Sequence, residues 1–225
     1  MQEIIDKLKL EKEDIEQELV GLDFLKTSIN QIGDFGCGWG YGTLSLMLQL
    51  NPSKCIGVDQ FTGILDTPTL PNVQKLVNQL KNYYSHEIYR DDENMGIENP
   101  FKNGNLPSFQ VGDVVTGVPR MPENIDLAYC KRVLFNIYSN EYNTNGESGE
   151  SAVVSAITNI VHTLKQGGVF VLVEPANESV NFHSLLNQSG LIFVRMCRIH
   201  RGKIIGSKRS SMLINQDLIY FFLKP

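Results

Sequence analysis

The chain reads as an α/β protein organised on a mostly parallel sheet, and three observations carry that expectation. The first is a glycine run, Asp34-Phe35-Gly36-Cys37-Gly38-Trp39-Gly40-Tyr41-Gly42, between a short apolar segment and an amphipathic helix over 43–50. Glycine lets backbone approach a ligand at such a strand-to-helix turn. The second is a helix stop at Asn51-Pro52, after which Cys55-Ile56-Gly57-Val58 reads as a buried strand ending in Asp59. The third is Val169–Val173, a continuous apolar run of the kind covered on both faces.

Residues 1–28 read as helical, with Ile4, Ile5 and Leu8 on one face and Ile15, Leu19 and Leu22 on another. This helix either packs on a sheet edge or covers a ligand site. The first strand is placed at Ser28–Ile32 because the glycine motif comes directly after it; its own apolar content is thin. After Asp59 the stretch to 70 is loop-like. Val73, Leu76, Val77, Leu80, Tyr83 and Tyr84 then form an amphipathic stripe. Residues 91–107 are polar and rich in Asn, Gly and Pro, before a short strand at 109–111. Asp59 to Asp113 spans 54 positions, more than one helix and two short connections need. The segment 60–107 is therefore an insertion, either a lid or acceptor wall or a passive loop.

Residues 125–130 give a fourth strand, and 139–151 a second polar loop. Val153, Val154, Ile157, Ile160, Val161 and Leu164 form the stripe of a sheet-covering helix, which Gly167-Gly168 is expected to end. A short helix runs from Phe182 to Gly190. Strands at 191–199 and 218–223, with no helix between them, predict a closing antiparallel pair. Their connector is basic (Arg195, Arg198, Arg201, Lys203, Lys208, Arg209), and reads either as a solvated hairpin or as an attractor of an anionic acceptor.

Composition narrows the function. A length of 225 residues suits one large domain, 1–225, and 42% apolar residues support a full core. The net charge of −5 gives no basic field for nucleic acid. Cys37, Cys55, Cys130 and Cys197 lack the spacing of a zinc site or disulfide framework, so no metal is expected. With no apolar run of membrane length and no signal peptide, a cytoplasmic setting is the default expectation. A homodimer is compatible with this composition.

The glycine spacing discriminates among nucleotide folds. A dinucleotide turn takes Gly-x-Gly-x-x-Gly; here the third position is Tyr41 or Thr43. The pattern present, Asp-x-Gly-x-Gly-x-Gly from Asp34 to Gly40 with an acidic strand end at Asp59 19 positions later, resembles the class I S-adenosylmethionine-dependent methyltransferases. An ordinary tight turn and another nucleotide-binding βαβ enzyme are the competing readings. "Leu-Lys-x-Gly-Gly, then apolar strand" at 164–173 is a second point of resemblance. A nicotinamide-dependent reductase fails on the spacing and on the lack of a Tyr-x-x-x-Lys pair.

The resemblance implies a three-layer, Rossmann-like fold: a seven-stranded, mostly parallel sheet with an antiparallel C-terminal hairpin strand. It implies S-adenosylmethionine as cofactor and S-adenosylhomocysteine as product. Backbone around Gly36, Cys37, Gly38 and Gly40 would hold the methionine end, with Asp34 orienting water or the amino group. Asp59 would take the ribose hydroxyls, with Gln60 beside it and Phe61 against adenine. Asp113 would accept from the adenine amino group and the Val114 amide would donate to the ring. Cys130 and Lys131, at the fourth strand's end, would touch the methionine part. The acceptor would be a small molecule, methylated on oxygen or nitrogen. A protein acceptor, or a non-catalytic binding module or partner subunit, is the alternative.

No Asp/Asn-Pro-Pro-Tyr stands at 128–131, where Ala-Tyr-Cys-Lys is found, and Cys130 lacks the preceding Pro of a C5 nucleophile. Both observations argue against base methylation in DNA. Glu174, closing the fifth strand, and His183, nine residues on, are the candidate bases, with Tyr129 and Lys131 behind them. For Glu174 a solvated strand end is the competing reading; His162 reads as structural.

Overall fold

The computed structural model describes residues 1–24, 28–63, 68–85, 99–101, 103–117, 124–139, 149–176, 181–201 and 215–225. Seven strands form one sheet in the order β3-β2-β1-β4-β5-β7-β6. They are β1 Gln31–Phe35, β2 Lys54–Asp59, β3 Ser108–Val111, β4 Ile125–Lys131, β5 Leu164–Pro175, β6 Ile192–Arg201 and β7 Asn215–Leu223. β1 pairs in parallel with β2 and β4, β2 with β3, and β4 with β5. β7 runs antiparallel between β5 and β6. The expected mostly parallel sheet with its closing hairpin is what the chain forms.

The helices are α1 Gln2–Leu19, continued by a 3-10 turn at Val20–Phe24, α2 Tyr41–Leu50, α3 Leu70–Ser85, α4 Val133–Tyr138, α5 Glu150–Thr163 and α6 Phe182–Gln188. They cover the sheet on both sides because its central strands are apolar on both. Ile15, Leu19 and Leu22 join Leu46 and Met47 of α2 over Ile32, Leu127, Val171, Ile219 and Phe221. On the other side, Leu134, Ile157, Ile160, Leu185 and Leu186 pack over Phe35, Ile56, Phe170, Leu172 and Phe222. The other stripe of α1 goes elsewhere: Ile5 and Leu8 meet Leu44 of α2 and Leu76, Leu80 and Tyr84 of α3. The two apolar faces read in the first helix thus serve two neighbours.

Three elements differ from the sequence reading. The first strand lies at 31–35 rather than 28–32. It is central, so hydrogen-bonding partners on both sides define it: Gly33 pairs with Ile56 and Ala128, and Asp34 with Gly57 and Tyr129. Apolar content underestimates a strand that holds a glycine and a carboxylate. The N-terminal α-helix ends at Leu19, short of 28. Finally, Gly167-Gly168 does not end a helix. α5 stops at Thr163, and Leu164 is already extended (φ −72°, ψ 139°). The two glycines lie within β5, where Gly167 N–H donates to Lys224 O (2.8 Å) and Lys224 N–H to Gly168 O (2.9 Å). The β4–β5 register shifts just there. Gly167 (φ +71°) is a bulge residue rather than a cap.

Of the expected 60–107 insertion, α3 and the segments flanking β2 and β3 are described. Residues 64–67, 86–98 and 102 lie outside the described residues, as do 140–148 of the second polar loop and 202–214 of the basic connector.

Candidate active site

In a sheet of this order the neighbours of β1 lead in opposite directions, β2 towards one edge and β4 towards the other. Ligands of open α/β sheets sit at such a reversal, beyond the carboxyl ends of the strands. The motif residues collect there. Gly36 and Cys37 N–H both donate to Val58 O (2.7 and 3.1 Å), which draws the loop over the end of β2. Gly36 has φ +78°, and a Cβ there would collide with the Val133 side chain. Gly38 differs: its φ is +51°, and a Cβ would meet nothing within 4 Å. Packing therefore explains Gly36, whereas Gly38 presents bare backbone to open space. Gly40 caps the amino end of α2.

Asp59 holds this loop. Its Oδ2 accepts Gly38 N–H at 2.9 Å and its Oδ1 accepts Phe61 N–H at 3.4 Å. Gln60 is half-buried beside it. Phe61 adopts φ +50° and is 7% exposed, its ring gathered with Cys37 and Val73. The neighbouring strand end joins through Gly112 N–H to Asp59 O, 2.9 Å. Asp113 closes a tight turn, its Oδ1 accepting Val115 N–H (2.8 Å). Val114 buries its side chain in the core, while Asn159 Nδ2 donates to the carbonyls of Val114 and Val115, both at 2.9 Å.

Asp34 is buried below the loop, its Oδ2 accepting from Thr43 Oγ1 at 2.6 Å. Burial pushes its carboxyl up to about 7 against the Thr43 hydrogen bond; Glu11 and Asp59 add to the rise and Lys131 opposes it. Glu11 comes from α1, whose carboxylates reach the end of β4. Lys131 Nζ contacts Glu11 Oε1 (2.6 Å), Glu18 Oε1 (3.3 Å) and Asp14 Oδ2 (3.5 Å). The buried Tyr129 hydroxyl donates to Glu18 as well. The sequence reading missed this carboxylate trio, although 11, 14 and 18 are spaced by three and four on one helical face. Thr43 was missed too; it sits in the first turn of α2, and nothing in its local sequence marks it.

The candidate bases separate. Glu174 stands at the carboxyl end of β5, but its Oε1 accepts Leu134 N–H (2.8 Å), and its side chain is fully buried. Burial pushes its carboxyl up to about 8, against the amides of Leu134 and Phe135 and the charge of Arg132. Neither a solvated strand end nor an acceptor-facing base describes that position; it is an amide anchor for α4. His183 is not brought to the other residues. Its ring packs on Phe193 (4.6 Å) and Phe222 (6.3 Å). Phe222 pairs with Phe170, four residues before Glu174, or about 13 Å back along the strand. Burial pushes the Cys130 thiol well above its ordinary value, as it does those of Cys37 and Cys55, so none is poised as a thiolate. Among the described residues no group of His, Cys, Asp and Glu could hold a metal, and no helix is long and apolar enough to cross a membrane.

This sheet order, with the glycine turn after β1 and the acidic end of β2, is the fold of the class I S-adenosylmethionine-dependent methyltransferases. Solved structures of that class superpose over nearly the whole chain. The N-methyltransferase NodS from Bradyrhizobium japonicum, solved with S-adenosylhomocysteine, is 16% identical and aligns with a TM-score of 0.57 over 95% of this chain and 87% of its own. The magnesium protoporphyrin IX methyltransferase ChlM from Synechocystis, solved with S-adenosylmethionine, is 12% identical, with a TM-score of 0.55 over 97% of this chain and 79% of its own. The [4+2]-cyclase SpnF shares the fold too, at 13% identity and a TM-score of 0.56 over 94% and 81% of the two chains. No protein-family model matches the sequence, and no curated protein matches it.

Proposed function

We propose that this protein transfers the methyl group of S-adenosylmethionine to a small-molecule acceptor. The observation that carries the reading is the Gly38–Asp59 arrangement. A carboxylate at the end of β2 fixes an amide of the loop, and bare backbone beside it faces open space at the sheet's reversal point. Those features fit a ligand with ribose hydroxyls at one end and a cationic amino acid at the other. Asp59 would take the hydroxyls. Asp34, under the loop and electrostatically coupled to Glu11 and Lys131, would favour the cationic end. Asp113 and Val114 would meet the adenine at the β3 turn, with Gln60 and Phe61 between. Cys130 and Lys131 would flank the methionine part. The structures of NodS with S-adenosylhomocysteine and ChlM with S-adenosylmethionine support that choice of cofactor.

When bound, the cofactor supplies a methyl group already activated by its sulfonium. What remains for the protein is alignment of the acceptor atom and exclusion of water. The burial of Glu174 and the distance of His183 favour an acceptor that needs no protein base, such as a neutral amine, over an alcohol. SpnF, a cyclase of the same fold, supports a second reading in which the cofactor site serves another purpose than methyl transfer. The four free cysteines suit the reducing cytoplasm.

Calorimetric titration tests the cofactor. The wild type is expected to bind S-adenosylmethionine and S-adenosylhomocysteine with micromolar affinity and to ignore NADH. Asp59→Ala is expected to weaken binding by about tenfold or more, as loss of a charge-assisted contact does. A wild type that ignores both sulfur ligands would end the proposal.

A further inference from the structure

We propose that Arg132 binds a carboxylate group of the acceptor, an inference that rests on the methyl-transfer reading and narrows its substrate to an acid. Arg132 sits just past the end of β4 and has the left-handed backbone φ +59°, ψ +22°. A non-glycine side chain is strained there. The surroundings hold it in place: its N–H donates to Val173 O at 2.8 Å, tying it to the end of β5. Its guanidinium reaches across the same strand end to Asp217, which pairs with Pro175 at the start of β7. Nη2 makes both contacts, to Oδ1 at 3.2 Å and Oδ2 at 3.1 Å.

The two partners are unequally placed. Asp217 is 1% exposed and the Arg132 side chain 44%. A buried carboxylate thus anchors the guanidinium from behind through a single nitrogen. The fork carries five donors, and its outer edge matches a planar carboxylate. Arg132 lies over the ends of β4 and β5, on the opposite side of β1 from the Asp59 loop, where an acceptor would approach the methyl group. The charges around it orient such a ligand. Lys131, one residue away, is enclosed by Glu11, Asp14 and Glu18. An acidic acceptor would turn its carboxylate from those groups towards Arg132, leaving its nucleophile to face the cofactor.

The test uses benzoate and its neutral isostere benzamide as probes, titrated by calorimetry into the full chain with and without S-adenosylhomocysteine. Wild-type protein is expected to prefer benzoate by about tenfold or more, the ratio a charge-assisted pair gives. The variant is Arg132→Asn combined with Asp217→Asn. Asn tolerates left-handed backbone, and changing both residues removes the Arg132–Asp217 pair as a unit instead of stripping Asp217 of its guanidinium. It is expected to lose the benzoate preference while keeping its thermal midpoint and its affinity for S-adenosylhomocysteine. Equal binding of the two probes, no binding of either, or a preference that survives in the variant would each overturn the assignment. Failure of S-adenosylhomocysteine to bind wild type counts instead against the cofactor reading, and the titrations without it still read the anion preference.

Discussion

Asp34 carries the clearest consequence of burial on a single residue. An aspartate in water is ionised well below neutrality, but this one lies beneath the glycine loop with its carboxyl raised to about 7. In the proposed binding mode a cationic ligand end above the loop would favour the ionised form, linking binding to loss of the proton. Affinity for S-adenosylmethionine is therefore predicted to rise roughly tenfold between pH 6 and pH 8. Asp34→Asn should flatten that profile. Titrations at the two pH values decide it, and an unchanged slope in the variant assigns the dependence to another group. Burial, against the Thr43 hydroxyl and with the neighbouring Glu11, Asp59 and Lys131, sets the starting value.

At the scale of elements, α1 is the one whose position rests on charge as well as on apolar contact. Its carboxylates Glu11, Asp14 and Glu18 meet the Lys131 ammonium, and Glu18 also accepts from the Tyr129 hydroxyl. Glu18 is fully buried, so this is not a solvent-screened surface pair. Removing one member of a buried pair strands the other charge. Lys131→Met is predicted to cost about 3–5 kcal/mol in urea denaturation. Adding Glu18→Gln should recover much of that loss. Amide hydrogen exchange in α1 should rise in the single variant more than in α5, which packs without such charges. Equal protection of the two helices would show that apolar contacts alone hold α1. Because α1 also supplies Glu11 to the surroundings of Asp34, its position and the electrostatics of the loop are coupled.

At the scale of the whole molecule, two buried carboxylates pull the pH dependence of stability in opposite directions. Asp126 joins three central strands at their amino ends, away from the site. Its Oδ2 accepts Asn30 and Gln31 N–H at 2.8 and 2.7 Å, and Lys165 pairs with its Oδ1. Burial alone would raise it, but Lys165 and the two amides outweigh burial and hold it below its ordinary value. That contribution is present above the ordinary aspartate range and is lost as pH falls through the lowered value. Glu174 behaves inversely. Raised to about 8, it stays protonated in the fold while the unfolded chain ionises, so it lowers stability progressively from about pH 4.5 to about 8. Stability is predicted to be greatest in mild acid. Glu174→Gln should gain on the order of 1–3 kcal/mol at pH 8 relative to wild type and little at pH 4. Urea melts at both values check the sign, and a variant equally changed at the two would refute the linkage.

By itself the sequence determined what depends on local spacing. Period and punctuation located most helices and most strands, and the Asp34–Gly40 run with Asp59 located the glycine turn and the acidic strand end beside it. Backbone that must turn sharply and then enter a helix leaves its glycines in the chain, and neighbours in sequence remain neighbours in space. Tertiary structure decided everything that joins distant segments. It moved the first strand to Gln31–Phe35, because a central strand is held by partners on both sides more than by its own side chains. It made a strand bulge of Gly167-Gly168, buried Glu174 against α4, and carried His183 away from the loop. It also brought Glu11 to Lys131 and Arg132 to Asp217, across 120 and 85 positions. A charge acquires its partner and its burial only when the sheet closes, and those two quantities set its pKa and its chemistry.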